Sequence, residues 1–239
     1  MGVTIGSARI DENGKAYNGK AGDQTGKEVS TQAWYKHSKG WRVFRAKSSA
    51  ARKLIAEAMR RACNNNNIGY DQYQRLTLYD AVKGYGFDPG KATKAVETDC
   101  SALVRVCCAY AGITLPNFVT SGQASALLNS GAFTEMTGAK YTEQEDYLEE
   151  GDVLVTKTKG HTVVVLTSGD KAEAAPTAPA GDVTVAAGSW NVRSGPGTGW
   201  PVVKTVKGGE KLQSVDAGDW IPVLVEGQVR WISPKGVAK

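Results

Sequence analysis

The chain has 239 residues, 41% of them hydrophobic and 22% charged, with a formal net charge of +5. That length suits one large or two modest domains with ordinary packed cores, and no apolar run approaches the roughly 18–20 residues that cross a bilayer. The mild basic balance fits anionic surroundings without calling for nucleic acid. The opening MGVTIGSARIDENGK lacks a basic stretch followed by an apolar one, so a chain made in the cytoplasm without a secretory signal is expected. No pair of the four cysteines Cys63, Cys100, Cys107 and Cys108 has zinc-ligand spacing, and only two histidines occur. No metal, no cofactor and no disulfide framework is expected.

In chain order, the first 46 residues are Gly-rich and polar and end in the aromatic patch Trp34, Tyr35, Trp41 and Phe44. They read as loops and short strands. Ser48 to Cys63 reads as a helix, with Leu54, Ile55, Ala58, Met59 and Ala62 on one face and Arg and Lys opposite. A second helix is predicted from the N-cap Asp99, because Cys100, Leu103, Val104, Cys107, Cys108 and Ala111 keep helical spacing, with Gly112 ending it. Val153–Val155 and Thr162–Thr167 read as β-branched strands around a tight turn. The order of elements predicts an α+β domain over residues 1–169, with 1–46 completing it. The Ala- and Pro-rich stretch 170–182 reads as a linker. Residues 183–239 hold short apolar runs divided by Gly and Pro and four of the six tryptophans, a pattern that predicts a small all-β barrel.

Cys100 falls in the first turn of its helix, where exposed N–H groups and the helix dipole favour a thiolate, although Asp99 opposes this. His161 follows Gly160 at the start of a strand and is the better of the two histidines for taking the thiol proton. Cys107 and Cys108 continue the apolar stripe and read as core, Cys63 as core or rim, and His37 in YKHSKG as a solvated loop histidine.

The segments TDCSALVRVCCAYAGITLP and GDVLVTKTKGHTVVVL resemble the NlpC-type cell-wall cysteine peptidases and their phage-lysin relatives. The resemblance rests on Asp99-Cys100-Ser101, Tyr110-Ala111-Gly112, Gly151-Asp152-Val153 and Gly160-His161, and covers about Ile68 to Leu166. It implies a papain-like domain that hydrolyses an amide of the peptidoglycan stem, with Cys100 as nucleophile and His161 as general base. It also implies a tyrosine ahead of the nucleophile that helps bind the oxyanion. Tyr70 is the matching position, with Tyr73, Tyr79 and Tyr85 as rivals in a long intervening stretch. Arg75 fits an arginine of the phage relatives, and Arg75, Asp99 and Ser101 are the expected substrate-binding group. The family takes a polar residue after the histidine strand to orient the imidazole. Here the linker follows too soon, so the partner is expected from the N-terminus, as in a circular permutation, with Ser7, Asp23 and Gln24 as candidates.

The tail resembles bacterial SH3-type wall-binding domains through Trp190-Asn191-Val192-Arg193-Ser194-Gly195-Pro196 and Gly227-Gln228-Val229-Arg230-Trp231-Ile232. Its seven Lys and Arg against four Asp and Glu suit an anionic wall polymer, with Trp200 or Trp220 on a binding face. Together these resemblances imply an endolysin: a monomer acting on peptidoglycan and wall polymers after release from the cytoplasm, with no nucleic acid and no membrane insertion. A wall-binding protein with an inactive papain-like domain, or an acyltransferase on the same fold, is the alternative.

Overall fold

The computed structural model describes residues 2–158, 160–172, 181–195, 198, 200–214, 220–225 and 228–238. Most of the expected linker, Pro196 of the expected Gly-Pro turn and Gly227 lie outside the described residues. The chain divides into two compact units, Met1–Lys47 with Ala51–Glu173, and Ser48–Ala50 with Ala174–Lys239.

The strands of the first unit are β1 (Thr4–Ala8), β2 (Val29–Ala33), β3 (Trp41–Ala46), β4 (Ile68–Tyr70), β5 (Val96–Thr98), β6 (Phe133–Met136), β7 (Val153–Thr156) and β8 (Thr162–Val165). Its helices are α1 (Ser49–Cys63), α2 (Thr77–Val82), α3 (Cys100–Tyr110), α4 (Thr120–Asn129) and α5 (Ala139–Thr142). A six-stranded antiparallel sheet runs in the order β2-β1-β8-β7-β3-β6. Strand alternation puts Val3, Ile5, Trp41, Val43, Leu154, Val163 and Val165 in one apolar cluster with Leu148. On β1, Gly6 is the point of close approach to α1. A Cβ there would sit 2.6 Å from the Met59 side chain and 3.2 Å from Cys63 Sγ. The expected apolar face of α1 is buried, with Ile55, Ala58, Met59 and Ala62 fully so.

β4 and β5 form a separate parallel pair, with Tyr70 opposite Thr98. A crossover is required to join parallel neighbours, and it carries α2 and two short 3-10 turns. The thirty residues from Tyr70 to Cys100 are thus the length of one such crossover. Gly151 has φ +87°, and a Cβ there would meet the Arg52 carbonyl oxygen at 2.2 Å. Its neighbour Asp152 is fully buried and takes two hydrogen bonds from Arg45, 2.8 Å from Nε and 2.7 Å from Nη2. The Gly-Asp pair therefore anchors the entry to β7.

The second unit holds β9 (Asp182–Thr184), β10 (Ser189–Arg193), β11 (Val202–Lys207), β12 (Lys211–Gln213), β13 (Ile221–Val225) and β14 (Gln228–Ile232). Here the expectation of an α+β domain followed by an SH3-type barrel fails. Four strands form an open sheet in the order β11-β10-β14-β13, β9 pairs only with β12, and no sheet among the described residues closes. β9 and β12 have three residues each, too few to carry the ladder round, and isolated bridges such as Ser214–Val223 stand where closure would need continuous pairing. The core is Val185, Val192, Val206, Leu212, Val223, Val225 and Ile232. Trp200 is buried, not on an open face: it packs so closely on Gly195 that a Cβ there would meet the ring at 2.1 Å. Trp220 is half-buried.

Candidate active site

Cys100 is the first residue of α3, and Asp99 caps the helix by accepting from Ala102 N–H at 2.6 Å. Arg75 fixes this cap. Its Nε donates to Asp99 Oδ2 at 2.6 Å, its Nη1 to Asn117 at 2.8 Å, and its Nη2 to Ser101 Oγ at 3.1 Å and to the Phe118 carbonyl. Ser101 Oγ also donates to Asp99 Oδ1 at 2.8 Å. Arg75, Asp99 and Ser101 thus form one network that holds the start of α3 against the 117–118 loop.

The Cys100 thiol is buried and faces the main-chain N–H of Thr162 and the N–H groups of its own helix start. Burial and the Asp99 charge together push the thiol up to about 12, against the weaker pull of those N–H groups. The helix-start argument for an easily formed thiolate is outweighed by desolvation. Thr162 itself is held firmly. Its Oγ1 donates to the Leu154 carbonyl at 2.8 Å and accepts from Gln123 Nε2 at 2.9 Å. Gln123 is fully buried on α4, and its Oε1 has no hydrogen-bond partner among the described residues. One turn earlier, Thr120 Oγ1 accepts from Gly160 N–H at 3.1 Å. α4 therefore pins both sides of His161.

His161 precedes β8, and its N–H donates to Thr156 Oγ1 at 3.1 Å. Its ring lies 6.5 Å from the Trp41 ring, centre to centre. Burial, His37 and Arg9 lower its pKa to about 4. Among the described residues its imidazole makes no side-chain hydrogen bond, to Cys100 or to any of the three expected partners. Ser7 is buried on β1 with its hydroxyl unpartnered. Asp23 accepts from the main-chain N–H groups of Thr25, Gly26, Lys27, Glu28 and Val29, and Gln24 Nε2 donates to the Ala21 and Gly22 carbonyls. Both of these side chains close the 21–29 loop.

The parallel pairing of β4 with β5 sets Tyr70 opposite Thr98, two residues before Cys100, and negative charge on Cys100 or Asp99 would add to the burial that raises the Tyr70 phenol pKa. Its hydroxyl accepts from Gln72 Nε2 at 2.9 Å, leaving the O–H proton free to donate, and burial pushes its pKa up. Tyr73 and Tyr85 are exposed, and Tyr79 stacks between Phe87 and Arg105.

His37 lies in a loop, as expected, and is partly rather than fully solvated. It is half-buried, its ring lies 5.0 Å from Trp41 in an edge-on arrangement, and its Nδ1 accepts from Lys39 N–H at 3.0 Å. His37, His161, Arg9, Ile10, Gln32 and Tyr35 line a cavity of about 520 Å³. Sequence reasoning passed over Arg9, Gln32 and Gln123, none of which belongs to a periodic or motif pattern, and named Tyr35 only as part of the aromatic patch. The histidine beside an aromatic patch was the one available signal. Among the described residues, no group of three or more His, Cys, Asp or Glu is placed to hold a metal ion, and no helix is long and apolar enough to cross a membrane.

The endolysin-like domain family matches residues 5–172. No curated protein and no solved structure matches the chain.

Proposed function

The chain belongs to the endolysin-like domain family, and from that premise we propose that it is a peptidoglycan hydrolase using Cys100 as a thiol nucleophile. The observation that carries this is the Cys100 thiol at the start of α3, against the main-chain N–H of Thr162, the residue that follows His161. The motif likeness to NlpC-type peptidases supports the same assignment. In this reading the thiol adds to a stem-peptide amide carbonyl, and the negative oxygen is received by the Tyr70 hydroxyl and N–H groups at the start of α3. His161 accepts the thiol proton and returns it to the leaving amine. Water then cleaves the thioester.

In the free protein both partners are neutral, since the thiol holds its proton well above neutral pH and the imidazole releases its proton well below it. Thiolate formation is thereby coupled to substrate entry, which tightens loose catalytic contacts. Arg75, Asp99 and Ser101 shape the substrate side through the network that holds α3. Site of action at the bacterial wall, after release from the cytoplasm, and wall-polymer binding by the basic second unit complete the proposal.

The unbonded Cys100–His161 pair favours a second reading, a domain that binds wall without cutting it. One experiment separates the two. Purified peptidoglycan treated with the parent protein should release new amino groups, and Cys100→Ala should release none while still sedimenting with the wall. Equal release by both would remove the thiol mechanism. No release by the parent would favour the binding reading.

A further inference from the structure

Among the described residues, the cavity beside His161 is lined by hydrogen-bond donors and by no carboxylate. Arg9 is exposed, and among the described residues its guanidinium has no ion-pair partner. Gln32 projects from β2, the edge strand of the sheet, and brings an amide NH₂. Tyr35 brings a phenol whose position is set from behind, because Trp41 Nε1 donates to the Tyr35 carbonyl at 2.8 Å. The tautomer of His37 is set by its own turn. Lys39 N–H occupies Nδ1, so the neutral ring carries its proton on Nε2. The Gly40 N–H to His37 carbonyl bond, 2.8 Å, closes that turn.

We infer that Arg9, Gln32, Tyr35 and His37 form a carboxylate-binding subsite that seats an anionic group of the peptide substrate next to His161. A guanidinium flanked by neutral donors is the arrangement that recognises a carboxylate by charge-assisted hydrogen bonds. The inference deepens the proposed hydrolase reading and rests on it, because it names which substrates that site prefers: peptides carrying a free carboxylate near the scissile amide. The subsite also has a catalytic consequence. Arg9 and His37 both disfavour a proton on His161. A carboxylate seated on Arg9 offsets part of that field, so the substrate itself makes the imidazole a better proton acceptor.

The test uses the full chain and two synthetic stem peptides that differ only in carrying free carboxylates or carboxamides. The parent protein should show a kcat/KM for the acid form about tenfold above that for the amide, the scale of one charge-assisted bond at a partly exposed site. Arg9→Gln should bring that ratio close to one, mainly through KM, and Arg9→Lys should restore part of it. Arg9 is exposed, so an unchanged thermal melt of each variant checks folding. Binding of both peptides to the Cys100→Ala protein is measured in parallel by calorimetry. An acid preference in binding that vanishes with Arg9→Gln supports the subsite even if the parent protein cuts neither peptide, and in that case the hydrolase reading falls alone. Cleavage of both peptides at equal kcat/KM, or an acid preference that survives Arg9→Gln, overturns the subsite and leaves the hydrolase reading standing.

Discussion

At the scale of single residues, the carboxyl of Glu97 is the least comfortable group in the first unit. It is buried on β5 with neither oxygen in a well-formed hydrogen bond, facing Glu28, Asp71 and Glu12, and the nearby Gly22 amide compensates only in part. Burial and those charges raise its pKa from 4.5 to about 8. Between those values the folded protein keeps a proton that the unfolded chain has released, so stability falls as pH rises from about 4.5 through about 8. Glu97→Gln removes the cost of ionising this site. Its melting temperature should match the parent below pH 4 and exceed it by a few degrees, on the order expected for a kcal/mol or two, at pH 8. A difference that does not vary with pH would show that Glu97 does not titrate in this range. Residues of this kind are poorly legible in sequence. Cys100, His161 and Tyr70 could be picked out because each lies in a short motif. Glu97 owes its character to burial and to carboxylates far away in the chain, whereas His37 sits against its sequence neighbours Tyr35 and Trp41.

At the scale of elements, α1 and α3 were readable because apolar residues at helical spacing face a core, and the β-branched runs of β7 and β8 were readable for the matching reason. The first three strands were expected only as short strands somewhere in residues 1–46, without their positions. In β2 the sequence VSTQA offers a single buried apolar residue, because the edge strand of a sheet covers little core. The start of α3 shows how an element depends on a residue outside it. Arg75 and Asp99 are both nearly buried, and the guanidinium also holds Ser101 and the Phe118 carbonyl. Arg75→Met leaves the Asp99 carboxylate buried without its cation. Urea denaturation should show a loss of about 3–5 kcal/mol, the range for breaking one side of a buried pair. Arg75→Lys should recover only a fraction, since an ammonium cannot reach four acceptors in a fork. A loss under about 1 kcal/mol would place the network at the solvated surface.

At the scale of the whole molecule, the division of the tail into short strands was legible, but whether they close was not. Alternation and turn residues specify strands, while closure depends on strand lengths and stagger that no local pattern encodes. In the first unit the decisive long-range feature is β1, which pairs with β2 on one side and with β8 on the other. Deleting residues 2–46 takes out three of six sheet strands and the Arg9, Tyr35 and His37 side of the cavity. The truncated chain should lose its cooperative melt, and no release of amino groups from peptidoglycan should remain. A truncated chain that melts as the parent does would show that the sheet closes over the gap.

The position of β1 also orders events in time. Ile5 is made long before Val165, the residue it pairs with. The strand must wait, unpaired on that side, until almost the whole first unit has left the ribosome, because a contact so distant along the chain cannot form sooner. β8, which follows His161, already pairs with β7 and gains β1 as its second neighbour only at that moment. A ribosome-bound fragment that stops short of Val165 therefore lacks this pairing, and the sheet of the first unit stays divided until that residue has emerged.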